Sequence, residues 1–260
     1  MMRHRFNPYS QKSMKYVFGN WKMNGIHEEA VALAKAVGTT KPQKYTQVAI
    51  FPPFINLHLV KKALSRSSIA LGAQDCSPEE NGAFTGDISA GMLKDAGCKY
   101  VLVGHSERRT LHGESDETVR NKAIAAIKAR LVPVICVGEN LAERESGKYL
   151  QVITRQVEQS VPSLTNPSSY LIAYEPVWAI GSGKTPILAE ISEAHKTIAS
   201  LLYHDTSKAD KKTAILYGGS VKANNACEIM ATEGVDGVLV GGASLKADEF
   251  GKIIEAAGSI

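Results

Sequence analysis

The chain has 260 residues, of which 44% are hydrophobic and 22% are charged, a balance typical of globular proteins that excludes wholesale disorder. The net charge is +4, but four basic residues and no acidic ones fall within the first 15 positions, so the remaining body is neutral. A neutral body without a basic stripe interleaved with aromatics argues against a nucleic-acid-binding protein. The sequence contains no run of about 18 apolar residues, so it predicts no membrane-spanning helix.

The first 13 residues precede a second methionine, Met14, which stands directly before the first apolar run. They lack the apolar core of a secretory signal. Their Arg and Ser content without acids leaves two interpretations, a short organellar transit peptide or an extension from an upstream start site. We favour the second. Residues 1–13 are therefore predicted to be a disordered or dispensable extension, residues 14–260 one catalytic domain, and the location cytoplasmic.

The four cysteines stand far apart in the sequence, at Cys76, Cys98, Cys136 and Cys227. This spacing supports neither a zinc site nor a thioredoxin-like motif. We expect free thiols in a reducing compartment, and no metal site.

Eight short apolar runs are predicted to be β-strands. Most are continuous rather than alternating, which is typical of strands buried on both faces of a sheet. They are Tyr16–Gly19, Val48–Phe51, Ile69–Ala73, Tyr100–Gly104, Val132–Val137, Tyr170–Tyr174, Ala214–Gly218 and Gly237–Gly241.

Helical periodicity fills the segments between these strands. Ser115, followed by two acidic residues, is predicted to cap one helix. The clearest apolar stripes are Ile26, Ala30, Leu33 and Val37; Val119, Ala123, Ala126 and Ile127, continuing to Arg130; and Ile187, Ile191, Ala194 and Ile198. Eight strands alternating with helices in about 250 residues favour a single α/β domain, a (β/α)₈ barrel with eight parallel strands and outer helices. A doubly wound open sheet is the alternative.

Reactive side chains follow three of the predicted strands. Asn20 and Lys22 follow the first, His105 and Glu107 the fourth, and Glu175 the sixth. Each alone is more typical of a structural or solvated residue, but a barrel brings these strand ends to one rim. A neutral histidine near a helix start, paired with a carboxylate base, suits proton abstraction beside a carbonyl group.

Glycine-containing turns stand at the same predicted rim. The run from Gly181 to Thr185 fails both nucleotide-phosphate motifs, because Trp178 and Pro186 stand where glycines are needed. We interpret it as a mobile lid. Gly219–Ser220 and Gly241–Gly242 are predicted to expose backbone N–H groups at helix starts, which suits a phosphate dianion.

Five segments carry a specific resemblance to a known family. They are FGNWKMNG (18–25), VGHSERR (103–109), YEPVWAIGSGKT (174–185), YGGSV (217–221) and GVLVGGASL (237–245). From Met14 to its end, the chain resembles the triosephosphate isomerase family in these motifs and in their order. The resemblance implies an isomerase of glycolysis and gluconeogenesis that interconverts dihydroxyacetone phosphate and D-glyceraldehyde 3-phosphate through an enediolate, without metal or organic cofactor.

The resemblance also implies a role for each residue at the rim. Glu175 would move the proton between two carbons, and neutral His105 would polarise the carbonyl group. Lys22 would offset negative charge, Asn20 would hydrogen-bond the substrate, and Glu107 would orient its neighbours.

The phosphate would be held by the glycine-containing turns. Backbone N–H groups of Gly181, Ser220 and Gly242 would bind it, with Gly241 shaping the turn. Closure of the lid would exclude water from the intermediate.

A homodimer is implied as well. The loop Gln74–Gly86 would lie at its interface, and Thr85 would reach the partner's site near Asn20 and Lys22. No nucleic-acid or membrane partner is expected.

The chain departs from the family near this loop. Asp75, Asp87 and His112 stand where the family usually has Asn, Glu and an aromatic residue. We expect Asp87 still to pair with Arg108 across the interface, and we expect dimer strength and its pH dependence, rather than the chemistry, to be affected.

The sequence argues against two other functions. A pentose-phosphate epimerase barrel would need a metal site of His and Asp at its strand ends, which the sequence lacks. A non-catalytic scaffold protein would be expected to have lost Lys22, His105 or Glu175, and all three are present.

Overall fold

The structure is a computed structural model that describes residues 13–163, 169–180, 185–203 and 213–260. Eight parallel strands form a closed barrel in the order of the chain, with β1 hydrogen-bonded to both β2 and β8. They are β1 (Lys15–Asn20), β2 (Thr46–Phe51), β3 (Ala70–Ala73), β4 (Tyr100–Val103), β5 (Val132–Val137), β6 (Leu171–Tyr174), β7 (Ile215–Tyr217) and β8 (Gly237–Val240). The predicted barrel is confirmed.

Helices surround the barrel and connect its strands. They are α1 (His27–Gly38), α2 (Leu57–Ala63), α3 (Ala90–Asp95), α4 (Ser106–His112), α5 (Asp116–Lys128), α6 (Leu141–Glu145), α7 (Tyr149–Ser160), α8 (Leu188–Leu202), α9 (Ala226–Ala231) and α10 (Ala247–Gly258). None of these helices is both long and apolar enough to span a lipid bilayer, as judged over the described ranges.

The strands separate two layers of buried side chains, because successive residues point to opposite faces of a strand. Inside the barrel, the ring of Phe18 packs against Phe51 and Tyr100, with centroid distances of 5.4 and 4.7 Å. The Phe51 ring also fills the space that a side chain at Gly72 would need. The second, larger layer lies between the strands and the helices.

Within the helices, the apolar residues of the predicted stripes are buried or partly buried, as expected. In two of the three stripes, however, the first residue is exposed. Ser115 caps α5 by accepting the Thr118 N–H at 3.1 Å, as predicted. Ile26 and Ile187 were expected to face the core, but they are 67% and 66% exposed. Both stand at the N-cap, where the backbone is extended, so the helical periodicity does not apply to them.

Candidate functional site

A cavity of about 560 Å³ opens at the carboxyl-terminal end of the barrel. It brings together most of the side chains and turns predicted from the sequence. These lining residues are Asn20, Lys22, His105, Glu175, Ser220, Gly241 and Gly242. Gly181, which was also predicted, lies outside the described residues.

Glu175 follows β6 directly and is 1% exposed. Its Oε2 accepts the backbone N–H of Ser106 at 2.8 Å, and its Oε1 lies 3.0 Å from Nε2 of His105. Since Ser106 is the first residue of α4, the carboxylate lies at the positive end of a helix.

His105 is the N-cap residue of α4, as predicted, and is 5% exposed. Its Nδ1 accepts the backbone N–H of Glu107 at 3.2 Å. An Nδ1 that accepts a hydrogen bond carries no proton, so this contact fits the neutral ring with its proton on Nε2, facing Glu175.

Gly104 makes this orientation of His105 sterically feasible. Its φ is +68°, and a β-carbon there would collide with the side chain of Val119 on α5. The chain can therefore turn sharply from β4 into α4 at this position.

Lys22 has a left-handed backbone, with φ of 52°, a conformation that costs a non-glycine residue about 1–3 kcal/mol. Its N–H donates to Oδ1 of Asn20 at 3.0 Å, and its carbonyl accepts from Nε2 of Gln74 at 2.7 Å. Its Nζ forms a close ion pair with Glu107. Glu107 thus contacts both Lys22 and His105, which fits the predicted orienting role.

The glycine-containing turns line the cavity, with Gly241 next to the Lys22 side chain, but only one of them begins a helix. Gly242 starts a 3₁₀ turn, Gly242–Leu245. The prediction of a helix start at Gly219–Ser220 is wrong, because α9 begins at Ala226. The helix starts later in the chain because the side-chain oxygen of Asn225 accepts the Lys222 N–H at 2.8 Å and stabilises a turn before α9.

Sequence reasoning missed Glu139, which is fully buried beside the segment that carries Glu175. Its Oε1 accepts the Tyr174 hydroxyl at 3.2 Å and the Trp178 indole N–H at 2.9 Å. Burial raises the pKa of Glu139, while these hydrogen bonds oppose the increase. It could have been found by the rule that found Glu175, because it stands just after the fifth strand.

The cysteines are free, as predicted, and three of the four are buried. Cys136 lies near the base, and burial followed by the charge of Glu175 raises the pKa of its thiol well above the usual value. Within the described ranges, no group of three or more His, Cys, Asp or Glu residues is arranged to hold a metal ion.

Comparisons with known proteins agree with this geometry. A family profile described as triosephosphate isomerase matches residues 15–257. Two curated proteins named triosephosphate isomerase, from Ruegeria sp. (strain TM1040) and Mesorhizobium japonicum, are each 48% identical to the chain. The alignments cover 93% and 94% of this chain and 97% and 96% of theirs. A crystal structure of triosephosphate isomerase from Bartonella henselae matches with a TM-score of 0.84 and 43% identity, over 93% of this chain and 98% of that one.

Proposed function

The chain belongs to the triosephosphate isomerase family, and from this premise we propose how its residues divide the work of the reaction. It is an isomerase that interconverts dihydroxyacetone phosphate and D-glyceraldehyde 3-phosphate. The observation that carries the assignment of roles is the 3.0 Å approach of His105 Nε2 to Glu175 Oε1. This short distance supports the proposal that His105 is the proton donor and Glu175 the carboxylate base at one point of the cavity.

Glu175 takes a proton from the carbon beside the substrate carbonyl. The electron pair of that C–H bond forms the carbon–carbon double bond of the enediolate, and the carbonyl electrons move to oxygen. The Nε2–H of His105 hydrogen-bonds this oxygen and passes protons between the two oxygens. Glu175 then returns the proton to the neighbouring carbon, so the isomer forms without an outside reactant.

Charge and orientation come from the rest of the cavity. Lys22 offsets the negative charge of the phosphate and the enediolate, Asn20 hydrogen-bonds the substrate oxygens, and Glu107 holds Lys22. We assign phosphate binding to backbone N–H groups of Ser220 and Gly242, with Gly241 shaping the turn. Gly181 stays part of this proposal on the resemblance alone.

Replacing Glu175 with Gln tests the assignment of the base. The amide keeps the size of the side chain but cannot accept the proton, so kcat should fall by about 100- to 10,000-fold. The measurement is turnover of glyceraldehyde 3-phosphate, coupled to reduction of the dihydroxyacetone phosphate formed. Glu117→Gln, an exposed substitution on α5, should retain the activity of the parent. A Glu175→Gln enzyme that is folded and fully active would refute the role of Glu175.

We further propose a homodimer in the cytoplasm, with residues 14–260 as the catalytic domain and residues 1–13 as a dispensable extension. The loop Gln74–Gly86 would lie at the interface, with Thr85 reaching the partner's site. Support comes from Phe84, a large apolar side chain in this loop that is 46% exposed.

The expected pair of Asp87 with the partner's Arg108 stays a prediction. Within one chain, Asp87 accepts the Ser77 hydroxyl at 2.7 Å, and Arg108 lies 2.9 Å from Asp75. An experimental dimer structure with the two side chains well apart would rule the pair out.

A further inference from the structure

Arg144 on α6 lies behind the segment that carries the proposed base. Its side chain is 13% exposed, and it is not among the residues that line the substrate cavity. The guanidinium carbon lies 4.0 Å from the ring centroid of Tyr149 and 5.7 Å from that of Trp178. Contact with two aromatic rings restricts a planar cation to a narrow range of orientations.

The two ends of this guanidinium face different parts of the fold. Nη2 lies 2.6 Å from Oε1 of Glu190, and Nη1 lies 3.7 Å from Oε1 of Glu139. Glu190 stands in the first turn of α8, where its other oxygen accepts the backbone N–H of Ile187 at 3.0 Å. Arg144 therefore links α6 to the residues after β5 and to the start of α8.

Glu139 holds the chain on both sides of Glu175. Tyr174, which donates to Glu139, immediately precedes the base, and Trp178, the second donor, follows it by three residues. The backbone N–H of Val177 also donates to the Glu139 carbonyl, at 3.0 Å. Movement of the Glu139 side chain would thus be transmitted to the backbone that carries Glu175.

The Glu139 carboxylate needs a nearby positive charge, because a fully buried, unpaired charge is strongly unfavourable. Among the described residues, Arg144 is the cation within 4 Å of it. Without Arg144, Glu139 would take up a proton more readily or draw in water. Either change would weaken its hold on Tyr174 and Trp178.

We propose that Arg144 is a positioning residue for Glu175: its positive charge, held in place by the ion pair with Glu190 on α8, stabilises the Glu139 carboxylate, and this keeps the segment from Tyr174 to Trp178 in place for proton transfer. The inference rests on the proposed role of Glu175 as the base. Arg144 touches neither the substrate nor the reacting atoms, but displacement of a catalytic group by about 1 Å can cost about 100-fold in rate.

Replacing Arg144 with Gln or Ala tests the proposal, with kcat and KM for glyceraldehyde 3-phosphate and tryptophan emission as readouts. We expect kcat to fall by about 10- to 100-fold while KM changes by less than about twofold, because substrate contacts remain. The emission of Trp178 should shift, since its indole loses a neighbouring cation and a fixed acceptor.

Guanidinium ion should restore part of the kcat of Arg144→Ala. Arg144→Lys should lose less of the parent kcat than Arg144→Gln or Arg144→Ala, because lysine keeps the positive charge. It should still lose some, because lysine does not keep the contact at both ends of the guanidinium.

Two further variants make the test decisive. Glu190→Gln removes the ion pair that links Arg144 to α8 but keeps Arg144 itself. It should lower kcat by less than Arg144→Gln does and shift the tryptophan emission in the same direction as Arg144→Gln. Arg155→Gln, at a guanidinium that pairs with Asp116 on the outer surface, should change neither quantity.

The proposal is overturned if folded Arg144→Gln has the kcat of the parent. It is also overturned if kcat falls with unchanged Trp178 emission and no rescue by guanidinium, since Arg144 would then serve stability alone. If the Arg144 variants fail to fold, an unchanged kcat in Glu190→Gln overturns it. An inactive Glu175→Gln beside a fully active Arg144→Gln would refute only this inference, whereas an active Glu175→Gln would refute the base assignment itself.

Discussion

Four charged side chains meet at the start of the loop Gln74–Gly86. Nζ of Lys122 lies 2.7 and 2.9 Å from the two carboxylate oxygens of Asp75 and 2.6 Å from Glu114. Arg108 contacts both carboxylates as well. Two positive and two negative charges therefore balance in a cluster of which only Arg108 has much access to water, and Asp75 supplies one of the two negative charges.

The two carboxyl groups of this cluster respond differently to burial. For Asp75, burial is the largest influence and raises the pKa, although Lys122 opposes it. For Glu114, burial acts in the same direction but is outweighed by the hydrogen bonds and charges of Lys122 and Arg108, so the pKa is lowered. The folded state favours the ionised form of Glu114 and disfavours that of Asp75.

Neutralising Glu114 should therefore cost more than neutralising Asp75. We expect Glu114→Gln to lower the free energy of unfolding by about 2–3 kcal/mol at pH 7, and Asp75→Asn to lower it by less. Urea unfolding of both variants beside the parent measures the difference. Equal losses, or a larger loss for Asp75→Asn, would contradict the assignment of charge preference.

Within this cluster, it is Glu114 whose shifted pKa predicts a loss of stability in acid. Because the folded-state pKa of Glu114 lies below its usual 4.5, its stabilising contribution is complete above pH 4.5 and is lost as the pH falls through the folded value. Unfolding free energies measured between pH 7 and pH 3 should fall less steeply for Glu114→Gln than for the parent.

At the scale of helices and strands, local sequence signals predict most of what the structure contains. All eight strands lie within two residues of their predicted bounds, because short continuous apolar runs ending at glycine or polar residues are typical of buried parallel strands. The predicted helix start at Gly219–Ser220 failed because a single side chain, Asn225, stabilises a turn before α9. The predicted burial of Ile26 and Ile187 failed because both are N-cap residues, to which the helical periodicity does not apply.

The candidate functional site shows the same limit of prediction from local sequence patterns. Asn20, Lys22, His105 and Glu175 could be found because each stands at the end of a strand or just after it, and the barrel brings those ends together. The ion pair of Arg144 with Glu190 joins two helices distant in sequence, and no local pattern indicates that they meet.

The N-cap of α5 offers a test of one such local signal. Ser115→Ala removes the acceptor for the Thr118 N–H and should lower the free energy of unfolding by about 1 kcal/mol. Ser200→Ala makes the same chemical change inside α8, where alanine is the better helix former, and should change stability by less than about 0.5 kcal/mol. Equal effects in thermal or urea unfolding would show that the cap contributes nothing specific.

At the scale of the whole molecule, most of the exposed large apolar side chains among the described residues belong to one part of the barrel. These side chains follow strands β1 to β4, which are neighbours in the ring, and they include Met23 at 95%, Ile55 at 73% and Leu111 at 75% exposure, whereas Leu141 and Ile187 follow β5 and β6. A concentration of exposed apolar side chains is typical of a protein–protein interface. The proposed homodimer would cover them.

Placing a charge in this surface should separate the subunits. We expect Leu111→Glu to sediment as a monomer at concentrations where the parent is a dimer, because an unpaired carboxylate would be buried at the interface. Ile187→Glu, at a position that follows β6 and is 66% exposed, should leave the sedimentation coefficient unchanged. A Leu111→Glu dimer as tight as that of the parent would place the interface elsewhere.

The closure of β1 against β8, through pairs such as Tyr16 with Gly237 and Phe18 with Leu239, has a consequence for biosynthesis. The ribosome releases β1 almost a full chain length before its second neighbour exists. At about 5–20 residues per second this amounts to a delay of roughly 10–45 seconds. During that time the apolar first strand has an open edge that can pair with another nascent chain. Slower translation of the final segment should therefore increase aggregation, and chaperone binding to the unfinished barrel should reduce it, although the finished molecule is identical in every case.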